Sequence, residues 1–279
     1  MPTRTDGPRS APATGAPTSP AGRQLRWVVP LLLVAVAFVG YALPPYLSLD
    51  PSRSRLPVQE AHPQYYPLLV AHILFGSVAL LAGCFQVWPW FRRRYPAAHR
   101  WTGRVYLFGG VLPGGVAVLG VAPLSSTGFV SQVGNTMLAV LWLVTAVAGY
   151  RAARRRRFVE HRRWMVRSYA LTLSIVVNRL WVVLFVVLLL PQVDTTYGGD
   201  QDAMIRAAAG ASVWMSWVVN LIVAQWWLDR GRPRPAQGAA TAATVAAVSS
   251  AIRPKSPAAT AARGTIQLPP TASTDGRAR

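Results

Sequence analysis

Carboxylates are scarce in this 279-residue chain: 9 Asp and Glu stand against 29 Lys and Arg, for a formal net charge of +20. None of the acidic residues falls inside a long apolar run, which excludes carboxylate-driven proton coupling within such a run. Cysteine is nearly absent. Cys84 stands alone, so no intramolecular disulfide, CxxC motif or iron–sulfur cluster can be built from this chain alone. No HExxH, GxSxG or Walker glycine loop occurs. Zinc hydrolysis would need a third ligand beside His99 and His161, and Glu160 is the only carboxylate near them in sequence. Lysine is reduced to Lys255, and charged residues of all kinds make up 14% of the chain. That share is well below the roughly 25% of a soluble domain.

Hydrophobic residues, by contrast, make up 52% of the sequence and gather in runs. Six runs near the length of a bilayer crossing cover residues 27–47, 67–90, 105–124, 129–150, 164–190 and 208–228. They predict an all-α, polytopic membrane helical bundle of about six transmembrane helices. The third and fourth runs are separated only by residues 125–128, which predicts a tight hairpin. Trp88, Trp90, Trp101, Trp164, Trp226 and Trp227 fall near run boundaries, where indoles prefer to sit. Residues 1–24 and 231–279 are rich in Ala, Thr, Pro, Ser and Gly, and read as disordered basic tails around a helical domain at 25–230. The first run reads as an uncleaved anchor, because it exceeds the ~7–15 residues of a signal-peptide core and follows a long polar stretch. The rival reading, a cleaved signal peptide, rests on Tyr41–Ala42–Leu43.

Charge then predicts orientation. All basic residues except Arg53, Arg55, Arg179 and Arg206 precede the first run, lie between the second and third, lie between the fourth and fifth or (Arg167) in the opening turn of the fifth, or follow the sixth. Arginine-rich short loops mark the cytoplasmic face. Both termini are therefore expected on the cytoplasmic side of a plasma membrane, with tail arginines near anionic lipid. Basic residues interleaved with apolar runs do not form one polar surface, so no nucleic-acid partner is expected.

Polar residues inside the runs need partners. His72, Gly76, Ala79, Gly83 and Gln86 share one helical face by their alternating steps of four and three. Gln132, Asn135 and Trp142, then Ser174 and Asn178, then Ser212, Ser216 and Asn220 supply further polar groups. The plain reading is a bundle joined by small and polar residues. Arg179 is harder to absorb, since a mid-span guanidinium costs at least about 2.5–3.5 kcal/mol. An outer-leaflet pocket of His72, Asn178 and Arg179, closed by an anion such as a lipid phosphate or a haem propionate, is one expectation. Gly109, Gly110, Gly114 and Gly115 with Pro113 offer another: a broken third helix of the kind that lines a transport path for a small or anionic solute.

Two stretches carry the remaining histidines. His99 opens His99-Arg100-Trp101-Thr102-Gly103-Arg104-Val105-Tyr106, and His161 opens His161-Arg162-Arg163-Trp164-Met165-Val166-Arg167-Ser168-Tyr169. With His72, Gly76, Gly83, Gln86 and Arg179, they make the chain resemble the bacterial membrane-protein family known as domain of unknown function 2306, over residues 66–190. That resemblance implies a multi-pass membrane protein and no particular reaction. A more distant likeness to four-helix b-type membrane cytochromes implies a single haem b. Its axial ligands would be His99 and His161, with neighbouring arginines such as Arg167 holding the propionates. The alternatives are imidazoles that merely contact lipid phosphate, a site for another metal or ligand, a transporter, and a non-catalytic assembly or scaffold factor for other membrane proteins. No enzymatic reaction is assigned.

Overall fold

The computed structural model describes residues 20–59 and 61–230, with 245, 248 and 249, so most of the two expected tails lies outside the described residues. Two units divide between residues 230 and 231, the first being Met1–Arg230. Its helices are α1 (Pro20–Ala42), α2 (Pro44–Leu47), α3 (Tyr65–Val87), α4 (Pro89–Arg94), α5 (Pro96–Tyr106), α6 (Leu112–Val121), α7 (Phe129–Arg154), α8 (Phe158–Thr172), α9 (Ser174–Leu189), α10 (Val193–Thr196) and α11 (Gln201–Arg230). Among the described residues there is no strand, and 6 segments are long and apolar enough to cross a membrane.

Proline decides where several helices stop. A residue that precedes proline is pushed away from helical dihedrals. Trp88, before Pro89, is extended at φ −82° and ψ 109°, and ends α3. Tyr95, before Pro96, takes φ −130° and ψ 69°, and ends α4. Each proline then opens the next helix, where its missing N–H is harmless. The Arg92–Arg94 connection is thereby folded into a short helix of its own. Pro113 was expected to break the third span. The helix instead continues from α5 into α6 through a π turn at Leu107–Val111. The wider turn immediately before proline makes room for its ring and missing donor.

Span five does bend, but elsewhere. α8 ends at Thr172 and α9 begins at Ser174. Around this joint, Thr172 Oγ1 donates to the Ser168 carbonyl at 3.0 Å and Ser174 Oγ to the Ala170 carbonyl at 3.2 Å. Side-chain hydroxyls that bond back along a helix favour such bends. Asn220 of α11 donates to the same Ala170 carbonyl at 3.0 Å, pinning the joint from outside.

The helices pack as α3 on α5 and α6, α6 on α7, and α7 on α8 and α11; α1 lies on α3, and α9 lies on α11. Tyr106, Leu80, Val111 and Cys84 are the largest of the side chains that are completely buried, and Trp142, Tyr169 and Trp217 join them in the core. α9 buries only Ser174. α3, α7 and α11 finish at the end where α5 and α8 begin. There Arg92 lies within electrostatic reach of Arg162, and Arg163 approaches Asp229 at 3.8 Å. Both arginine-rich connections thus share one end of the bundle.

α3 and the third span touch along their backbones. A Cβ placed on Gly110 would stand 2.8 Å from Ala79 Cβ and 2.9 Å from the Ala79 main chain, whereas Gly40 on α1 has open space around it. Gly110→Val is expected to destabilise the protein by about 1–3 kcal/mol through overpacking. Gly40→Ala should leave stability unchanged or slightly raised. Thermal unfolding of the two variants in detergent checks the contrast.

Candidate functional site

His99 sits in the first turn of α5 at the arginine-rich end, beneath a small polar clamp from α3. Gln86 donates from Nε2 to the His99 carbonyl at 3.1 Å and to Thr102 Oγ1, while Thr102 Oγ1 donates to the Ala98 carbonyl at 2.9 Å. The clamp fixes the backbone of His99 and leaves its ring to other contacts. His99 Nδ1 is buried and has no hydrogen-bond partner. Arg92, His161 and Arg100 lie within electrostatic reach of it.

His161 occupies the first turn of α8, and its Nδ1 lies 2.8 Å from the Gly149 carbonyl. A carbonyl only accepts, so Nδ1 is the donor, and in the neutral ring the lone pair is on Nε2. A backbone carbonyl holding one nitrogen and freeing the other is the arrangement that orients a metal-ligating histidine. No third His, Cys, Asp or Glu completes a metal-binding cluster among the described residues. Partial burial, together with the charges of Arg162 and Arg93, holds the Arg92 guanidinium below its usual value. This end is rich in cations and short of counter-charge.

His72 is held in the same way. Its Nδ1 donates to the Gly114 carbonyl of α6 at 2.9 Å, and its ring meets Trp142 of α7 edge-on at 6.4 Å. Asn178 and Arg179 are not brought to it. Arg179 is exposed on α9, with no hydrogen bond or ion pair among the described residues, and Asn178 Oδ1 is buried without a partner. The three residues belong to different packing layers, because α9 leans on α11 while His72 faces α6 and α7. Arg167 also turns elsewhere: its Nη2 donates to Gln225 Oε1 of α11 at 2.6 Å.

Between the histidines lies a polar cluster that composition did not single out. Trp142 Nε1 donates to Thr172 Oγ1 at 2.9 Å, and Tyr106 OH lies 2.9 Å from Thr172 Oγ1 and 2.8 Å from Ser168 Oγ. Thr172 spends its proton on the Ser168 carbonyl. The proton count closes when Tyr106 donates to Thr172 and Ser168 donates to Tyr106. Beside it, Tyr169 OH meets Cys84 Sγ at 3.0 Å, and its ring fills the space left by Gly83. The two tyrosines close the two histidine-led stretches, and Ser168 and Thr172 are four residues apart on α8. Those were the available signals.

Six apolar helices enclosing these polar groups define a polytopic α-helical membrane protein. The chain belongs to the family described as "Predicted membrane protein (DUF2306)", whose profile matches residues 69–228. The match runs from the second span to the sixth, beyond the 66–190 over which the quoted stretches carried the resemblance, and includes every histidine discussed above. No curated protein and no solved structure matches the chain.

Tyr106 is the hub of the buried cluster. Tyr106→Phe keeps the ring and strips the phenol from two hydroxyls in a fully buried site, so a loss of about 1–3 kcal/mol is expected in unfolding measurements. Tyr41→Phe, on the exposed side of α1, provides a comparison that should change little.

Proposed function

We propose that this protein is a plasma-membrane helical bundle that binds one haem b at its arginine-rich, cytoplasmic end, with His99 and His161 as axial ligands. The observation that carries the reading is the Nδ1 bond of His161 to the Gly149 carbonyl, made beside a His99 ring whose own Nδ1 has no partner. Two imidazoles do not make a site for a bare ion. They suffice for an iron that already has four porphyrin nitrogens. Bound haem would supply one-electron transfer.

The protein's own residues supply orientation and charge. The Gly149 carbonyl fixes which nitrogen of His161 can act as a ligand. The Gln86–Thr102 clamp sets the start of α5 and with it the position of His99. Arg92 and Arg100 place cations beside the histidine pair, suited to two propionates. Glu160 and Asp229 oppose them little, since each lies near an arginine of its own, Arg157 at 3.6 Å and Arg163 at 3.8 Å.

Protein purified in detergent from haem-replete cells should show a Soret band with the low-spin spectrum of two imidazole ligands, changing on reduction. His161→Ala and His99→Ala should abolish the low-spin form, while His72→Ala should retain it. Absence of a Soret band after haem supplementation would overturn the reading. Topology has its own check. Alkaline phosphatase fused after Gly198 should be active, and fused after Arg156 inactive, if the arginine-rich end is cytoplasmic.

A further inference from the structure

At the arginine-rich end a groove of about 480 Å³ opens between α8 and α11, lined by Arg167, Leu221, Ile222, Gln225, Trp226 and Asp229. Its two halves differ in chemistry. Leu221, Ile222 and Trp226 form an apolar wall, and the latter two are exposed on the side of α11 that meets lipid. The other half is a polar ladder. Asp229 Oδ2 accepts from Gln225 Nε2 at 2.7 Å, which turns Gln225 Oε1 toward Arg167 Nη2 at 2.6 Å. The Gln225 amide is thus oriented by its bond to Asp229.

Charge around the groove is strongly one-sided. Arg163 approaches Asp229 at 3.8 Å, and three more guanidiniums lie over indoles: Arg167 over Trp164 at 5.0 Å, Arg162 over Trp227 at 5.0 Å and Arg230 over Trp226 at 3.4 Å. Asp229 is the only acidic residue in or beside the groove on α11. Indoles stacked under guanidiniums belong at the depth of lipid headgroups. The volume falls in the ~300–1,000 Å³ range of small-molecule sites, and an apolar wall has no use for a bare anion.

We propose that this groove binds an anionic phospholipid, with the phosphate on the Arg167–Gln225 ladder and the start of one acyl chain along Leu221 and Ile222. Arg167 selects the head by charge, and the α11 wall selects an amphiphile over a free anion. This assignment is independent of the haem site.

The test uses the full-length protein in neutral micelles, titrated with phosphatidylglycerol carrying brominated acyl chains and, in parallel, with brominated phosphatidylcholine. Bromine quenches nearby tryptophan, and Trp226→Phe identifies the groove's share of the signal. Phosphatidylglycerol should quench that share at a mole fraction at least fivefold lower than phosphatidylcholine. Arg167→Gln should reduce the preference below twofold. Gln225→Glu, which preserves shape while setting a second carboxylate on the ladder, should do the same. Equal quenching by the two lipids in the unaltered protein overturns the site as merely annular. Displacement of the lipid by inorganic phosphate alone overturns it as a free-anion site. Loss of preference in Arg167→Gln but not in Gln225→Glu overturns the ladder as the headgroup contact.

Discussion

A polar group surrounded by hydrocarbon has no water to bond, and leaving its hydrogen bond unmade costs roughly 2–7 kcal/mol. One solution in this bundle is local. Ser77, Thr136 and Thr145 each return their proton to a carbonyl four residues back, and Ser212 and Ser216 to one three residues back. Such groups ask nothing of neighbouring helices. The bonds that cross between helices set the architecture: His72 ties α3 to α6, Asn220 ties α11 to the α8–α9 joint, and Tyr106 gathers α5 and α8. Groups left without partners are therefore informative. His99 Nδ1 lies next to a second imidazole and to cations.

Much of the fold was legible because membrane insertion is a coarse filter. Apolar length alone placed six crossings, and alternation of direction put the starts of α5 and α8 at one end, where His161 lies within electrostatic reach of His99. The ends of helices were less legible. α8 begins at Phe158 and α11 at Gln201, earlier than the apolar runs, because helices continue through polar residues after they leave hydrocarbon. Rotation of helices about their axes was hardest to read. Nothing in the spacing of His72, Asn178 and Arg179 reveals that α9 rests on α11 rather than α3. Tyr106 escaped attention for a related reason: its value lies in Ser168, Thr172 and Trp142, contributed by two other helices. Pro113 shows a further limit, since a proline signals an irregularity without saying whether the chain will break or widen its turn.

The arginine-rich end combines two kinds of order. Several of the tryptophans there carry a guanidinium on the ring, as Trp226 does for Arg230 and Trp227 for Arg162. This holds long, flexible cations over defined surfaces and limits the entropy lost if they engage an anion. The same end holds the imidazole pair and a groove along α11.

The dependence of α9 on α11 has a consequence for biogenesis. α9 carries Arg179 on an exposed face, buries almost nothing of its own, and finds its main neighbour in a segment that leaves the ribosome later. At the moment of its synthesis it has no surface to settle against. The two crossings joined by α10 therefore act as one packing unit, in which α9 gains its main contact surface only when α11 is present.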